Sequence, residues 1–266
     1  MFKFRKIIMA ILVAVLIPVT TVLGQSPSIS IEKDQLNNGI VSITYKASQD
    51  IKTKVMIKKE NKQYVYDLNV SGQYPLQLGD GRYQISVLSN IEGNQYKLVK
   101  SEYLKVEKDN ENIVYLQSID MINWNEEMQA IKIAKEITKD AKTDKEKMTI
   151  VHNYITNKIK YDNNKAVTVE AGYIPNIDEI LNTSLGICYD YSVLYAAMMR
   201  SLDIPTKLIM GRNKDIEEYH AWNEVYLADS DQWFIIDTTY DAPVVQKGIT
   251  NNIVKNPADY TVEKEY

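Results

Sequence analysis

Among 266 residues there is a single cysteine, Cys188, and there are only two histidines, His152 and His220. One thiol excludes an intramolecular disulfide, and one Cys with two His cannot furnish a four-ligand zinc site without carboxylates. No cysteine follows the N-terminal apolar stretch, which excludes the lipid-modified cysteine of a bacterial lipoprotein. Arginine is scarce as well: four of the 31 basic residues, too few for the bidentate clamps that phosphate recognition favours. Ten Gly and seven Pro rule out a collagen-like or linker-dominated chain, and 45% hydrophobic with 25% charged residues is an ordinary globular composition.

Positive charge is lacking too. The net charge is −4; without the first 24 residues, which carry Lys3, Arg5 and Lys6 and no acid, 28 basic residues stand against 35 acidic ones, or −7. Such a chain has no electrostatic footprint for nucleic acid, and no nucleic-acid partner is expected. The start is a different matter. Basic Met1 to Lys6 is followed by 18 apolar residues, Ile7 to Gly24, and then by polar Gln25-Ser26-Pro27-Ser28. Residues 1–24 read as a signal peptide cut after Val22-Leu23-Gly24, or, if uncut, as an N-terminal anchor just long enough to span a bilayer. In both cases residues 25–266 are expected to be extracellular or at the cell surface, meeting a membrane only through that segment.

Residues 25–107 alternate as strands do: Ile29 and Ile31; Val41, Ile43 and Tyr45; Val55 and Ile57; Tyr64, Tyr66 and Leu68; Tyr83, Ile85 and Val87; Tyr103, Leu104 and Val106. Asn37-Asn38-Gly39, Ser71-Gly72, Gly79-Asp80-Gly81 and Glu92-Gly93-Asn94 are read as hairpin corners. This spacing predicts a small all-β sandwich of immunoglobulin or fibronectin type, a spacer or binding module without catalytic groups. The stretch Lys108-Asp109-Asn110-Glu111-Asn112 ends it, and residues 108–266 form the second predicted domain. Helices are expected over Glu126–Ala141 and, capped by Thr143-Asp144, on to about Lys160. His152 beside the apolar stripe of that second helix is read as a surface or packed histidine. Asp229-Ser230-Asp231 lacks the ordered spacing of a calcium loop and is read as a solvated turn.

Chemistry concentrates later. Leu185-Gly186-Ile187-Cys188-Tyr189-Asp190-Tyr191 opens an apolar helical run to Leu202, which puts Cys188 in the first turn of a helix. The free N–H groups and positive dipole end there favour a thiolate, and the same amides can hold a developing oxyanion. Gly186 lets the backbone turn tightly before the thiol. Thr206–Gly211 reads as a strand, and His220–Leu227 and Trp233–Thr239 as a hairpin that brings Asp237 beside His220. A carboxylate placed there orients the imidazole and steadies its protonated form, leaving the other ring nitrogen for the thiol. The geometry carries a condition. Side chains alternate faces, so His220 and Asp237 share one only if paired residue numbers have an odd sum, whereas a symmetric turn pairing Leu227 with Trp233 would separate them.

Gly186-Ile187-Cys188, Leu202-Asp203-Ile204-Pro205-Thr206, His220-Ala221-Trp222-Asn223-Glu224-Val225 and Trp233-x-x-x-Asp237-Thr238-Thr239, in that order, resemble the transglutaminase-like superfamily of cysteine enzymes. The resemblance covers about residues 115–245. It implies an α+β fold with a papain-like core, with Cys188 as nucleophile, His220 as base and Asp237 as orienting acid, and no metal or organic cofactor. Tyr161-Asp162 and Gly172-Tyr173 resemble upstream segments of secreted bacterial members, with no catalytic role carried over. Thr238 stands where the family usually has Pro, and the upstream side chain that helps stabilise the oxyanion, a tryptophan in animal transglutaminases, has no match. Trp124 is read as a packing residue, and so are Trp222 and Trp233. The expected function is exported, cysteine-dependent acyl transfer on carboxamide or peptide carbonyls through a thioester, acting on protein or peptide substrates that include those of the cell envelope. Transamidation, deamidation and peptide cleavage are all open outcomes, and a catalytically silent envelope scaffold or adhesin is the alternative.

Overall fold

The computed structural model describes residues 28–46 and 51–266; the expected signal segment, 1–24, lies outside the described residues. Seven strands come first: β1 (Ile29–Glu32), β2 (Ile40–Tyr45), β3 (Thr53–Lys59), β4 (Lys62–Leu68), β5 (Ser71–Pro75), β6 (Gly81–Glu92) and β7 (Gln95–Val106). They make two antiparallel sheets, ordered β1-β2-β5 and β4-β3-β6-β7. The alternating positions of the sequence point inward: Ile43 and Tyr45, Val55 and Ile57, Tyr66 and Leu68, and Tyr83, Ile85 and Val87 are buried in one apolar cluster. One expected corner is a strand instead. Ser71-Gly72 opens β5, Gly72 pairs with Ile43 of β2, and Tyr74 two residues on is fully buried. Alternate burial over only five residues was too short to stand out beside a Ser-Gly pair.

Helices and strands mix after residue 107. α1 (Gln129–Thr138) and α2 (Asp144–Lys158) lead to a two-residue strand β8 (Lys160–Tyr161), then α3 (Asn163–Thr168), α4 (Ile177–Thr183) and a second short strand β9 (Leu185–Gly186). The chain continues with α5 (Cys188–Arg200), β10 (Thr206–Asn213), β11 (Ile216–Leu227), β12 (Gln232–Ile236), α6 (Thr238–Val245) and β13 (Tyr260–Glu265). The sheet is ordered β12-β11-β10-β13 and is antiparallel throughout. α5 packs against β10 and β11 and is buried all round from Asp190 to Arg200, as a helix apolar on every side must be. At its end the buried Arg200 guanidinium donates to the main-chain oxygens of Thr206, Gln117 and Tyr266.

The helices are shorter than their periodicity suggests, for reasons set by their ends. Thr143 caps α2, its side chain accepting the Glu146 N–H, as expected. α1 begins at Gln129 rather than Glu126 because its free amides, those of Gln129 and Ala130, are held by the Asp178 carboxylate 3.0 and 2.9 Å away on α4. Among the described residues no helix is long and apolar enough to cross a membrane.

The β11–β12 hairpin meets the parity condition. Tyr226 pairs with Trp233 and Leu227 with Gln232, so paired numbers sum to 459 (226 and 233). Four residues, 228–231, make the turn, Asp231 adopting a positive φ of 53°. The acidic pair there is a hairpin corner: the Tyr226 hydroxyl bonds the Asp231 carboxylate across it. The expected strand to Thr239 ends early, at Ile236, and Asp237 begins α6 instead.

Candidate active site

The nucleophile candidate is placed by the start of α5. Cys188 is the first residue of that helix and is half-buried. Asp190, fully buried, folds back to accept the Ile187 N–H at 2.8 Å, and receives the Tyr173 hydroxyl at 2.7 Å and the Lys165 ammonium at 2.8 Å. Gly186 makes room for this: a Cβ there would sit 2.8 Å from the Asp190 Cβ. Gly186 also pairs in parallel with Tyr161 of β8, which draws the segment before α3 alongside the thiol. The Tyr161 phenol pKa is raised, chiefly by burial and next by the charge of Cys188. Tyr161 and Tyr173, noted in the sequence without a role, thus both belong to the surroundings of the α5 start, Tyr161 through Gly186 and Tyr173 through Asp190.

His220 lies on β11, opposite Gly211 of β10, and is almost completely buried. Its Nε2 is 2.8 Å from Asp237 Oδ2, which leaves Nδ1 as the nitrogen available to the nearby Cys188, whose charge acts on the imidazole. Burial opposes a charge on this imidazole, but the hydrogen bond to Asp237 and the nearby charges of Asp237 and Cys188 outweigh it, pushing the pKa up to about 10. Asp237 is fully buried at the N-cap of α6. Its Oδ1 accepts the Tyr240 N–H at 3.0 Å, a bond that fixes the carboxylate where β12 turns into the helix. The hairpin register and this cap together place Asp237 against His220, and the charge of Cys188 acts on the same imidazole.

Further residues tie the elements down. Asn223, buried on β11, donates to the Ser192 carbonyl of α5 at 3.0 Å and to the Lys207 carbonyl of β10 at 3.1 Å. Trp222 lies over His220 with ring centroids 6.1 Å apart, and Trp124 packs against the core. Trp233 meets Tyr115 edge to face and Tyr226 at a tilt, each at a ring distance of 5.4 Å. His152 is the packed histidine of the two readings given above: on α2, its Nε2 lies 2.9 Å from Asp241 Oδ2 of α6, with Lys255 on the other oxygen. Tyr260, on β13, donates its hydroxyl to Asp237 Oδ2 at 3.0 Å, and no local sequence pattern announces it.

Residues 131–238 match the family model described as the transglutaminase-like superfamily, and these residues hold Cys188, His220 and Asp237. The chain has a mixed α+β fold with several antiparallel sheets and a transglutaminase-like core. Among solved structures it is similar to a Cytophaga hutchinsonii protein provisionally described as a cysteine protease, at 15% identity and a TM-score of 0.42, over 93% of this chain and 81% of that one. It is similar also to calcium-bound LapG of Legionella pneumophila, at 12% identity and 0.35 over 51% and 83% of the two chains. Red sea bream transglutaminase follows at 14% identity and 0.30, over 75% and 48%. No curated protein matches the sequence significantly.

Proposed function

We propose that this protein is an exported cysteine enzyme that transfers acyl groups from carboxamide or peptide carbonyls through a thioester on Cys188. The observation that carries the reading is the imidazole of His220, held on Nε2 by buried Asp237 and lying close enough to the one thiol of the chain for the charge of Cys188 to act on it. The Cys188 sulfur attacks the carbonyl carbon, and the oxyanion that forms faces the free N–H groups and positive end of α5. Protonated His220 gives its Nδ1 proton to the departing nitrogen, so ammonia or an amine leaves as the C–N bond breaks and the thioester remains. Water or a primary amine then attacks the thioester while His220 takes back a proton, and the C–S bond breaks to release acid or new amide. Asp237 keeps the imidazole oriented in both half-reactions.

The basic start and apolar run of residues 1–24 support export. The strand order β1-β2-β5 with β4-β3-β6-β7 supports reading residues 25–107 as a sandwich of fibronectin type, the boundary falling near residue 108. An acidic mature surface suits neutral or basic protein and peptide substrates.

The test is intact mass after incubating residues 25–266, and a Cys188→Ala control, with a glutamine peptide in the presence and absence of a primary amine. A Cys188-dependent gain of amine mass shows transamidation, conversion of amide to acid shows deamidation, and fragments show peptide cleavage. Cys188→Ala should lower turnover by about four to six orders of magnitude with the melting temperature unchanged. Unchanged masses across varied peptides, together with a thiol that resists iodoacetamide, would replace the enzyme by a silent scaffold.

A further inference from the structure

β13 lies at the edge of the sheet, after the segment that matches the family, yet it reaches the buried centre of the site. The hydroxyl of Tyr260 donates to Asp237 Oδ2 at 3.0 Å, and this is the same oxygen that binds His220 Nε2 at 2.8 Å. Its ring is 4.9 Å from the Trp222 ring, centroid to centroid. The approach depends on a bare backbone. Gly211, the residue opposite His220 on β10, also pairs with Val262 of β13, and a Cβ there would overlap the Thr261 carbonyl and come 2.9 Å from the Trp222 ring. A side chain at this crossing would push β13, and Tyr260 with it, away from Asp237.

We propose that Tyr260 is a positioning residue for the His220–Asp237 pair: its hydroxyl fixes Oδ2 of Asp237 and shares that oxygen's charge, which makes protonated His220 a readier acid. The inference rests on the acyl-transfer reading above for its consequence in turnover. An imidazolium bound by a buried carboxylate beside a thiol gives up its proton reluctantly, whereas a leaving nitrogen must be protonated in every cycle. A second donor on the same carboxylate oxygen draws electron density from the His220 bond and weakens that hold. The charged and titratable groups around the pair are Cys188 on α5, Asp237 and Asp241 on α6, Glu218 on β11 near Tyr161, and Lys255 beside Asp241.

The experiment is an NMR titration of the imidazoles in the full mature chain, wild type against Tyr260→Phe. Two histidines give two signals, and the one missing in His220→Gln belongs to His220. Tyr260→Phe keeps the ring against Trp222 and removes only the donor. Its His220 midpoint is expected to rise by about half to one pH unit, and its turnover of the glutamine peptide near neutral pH to fall about three- to ten-fold. In an Asp237→Asn background the same replacement should add no further loss. A midpoint and turnover equal to wild type would overturn the proposal, and so would a Tyr260→Phe chain that fails to fold, since the hydroxyl would then be a structural group. Because the midpoint is read on the imidazole itself, the two readings fail separately: a wild type inert on every amide sinks the acyl-transfer function, whereas an active wild type with an indifferent Tyr260→Phe sinks only this one.

Discussion

Asp237 accepts three hydrogen bonds with no exposure to water: one from the main chain of Tyr240, one from His220 and one from Tyr260. A buried carboxylate so satisfied is fixed in place and can orient the imidazole beside it. This has a consequence for folding. His220 titrates near 6.5 in the unfolded chain and at about 10 in the folded one. The proton it keeps therefore stabilises the fold fully below about pH 6.5, and that contribution is lost as pH rises to about 10. Chemical denaturation at several pH values should show wild-type stability declining across this window more steeply than that of His220→Gln. Parallel curves for the two proteins would mean that the imidazolium is not held as described. Cys188 and His220 were conspicuous in the sequence because the chain has one cysteine and two histidines, whereas Asp237, one of 18 aspartates, stood out only through its place in the ordered pattern. Tyr260 did not stand out, being one of 19 tyrosines in a strand with nothing nearby to mark it.

At the level of elements, the site depends on where segments stop. α5 was visible from its apolar run, and Gly186 before it from its chemistry, but the partner that makes the glycine necessary, Asp190, became apparent only from the fold. Gly186→Ala must displace the Asp190 side chain and with it the bond to the Ile187 N–H. The expected cost is about 1–3 kcal/mol of stability, with slower alkylation of Cys188, both read on the same purified variant by melting and by mass. Unchanged alkylation would show that the helix start tolerates the displacement. The hairpin illustrates a second limit. Its strands were evident from β-branched and aromatic residues, while the register was not, because a four-residue and a five-residue turn look alike in sequence yet put Asp237 on opposite faces. α6 escaped notice because Asp237-Thr238-Thr239 continues a β-branched run and Pro243 interrupts the helix pattern. The cap of α1 by Asp178 lies 48 residues away from Ala130, beyond any local rule.

Across the whole molecule, β13 joins the two halves. Tyr260 at its start bonds Asp237, and Tyr266 just past its end packs against Tyr64 and Tyr66 of β4 at ring distances of 5.6 and 6.0 Å. Gln77, in the loop after β5, donates to the Glu265 carbonyl at 3.1 Å, and the Tyr115 hydroxyl bonds the Glu265 carboxylate at 3.2 Å. The strand-rich region and the mixed region also share one continuous apolar cluster. Calorimetry should accordingly show one unfolding transition rather than two, and Tyr64→Ala should lower it, the lost edge contact with Tyr266 alone costing about 0.5–1.5 kcal/mol. Two separate transitions, with only the first moved by Tyr64→Ala, would show the halves to be independent.

The position of β13 in the chain also sets an order in time. A growing polypeptide that has reached Asp237 already holds its thiol, its imidazole and its carboxylate, but neither the hydroxyl that shares Oδ2 nor the strand that closes β10. Chains fold as they emerge, N-terminal parts first. The His220–Asp237 pair therefore gains its third partner only once Tyr260 has emerged, after the strand-rich region that packs on Tyr266 has formed, and a chain stopped between Asp237 and β13 carries its thiol without that partner.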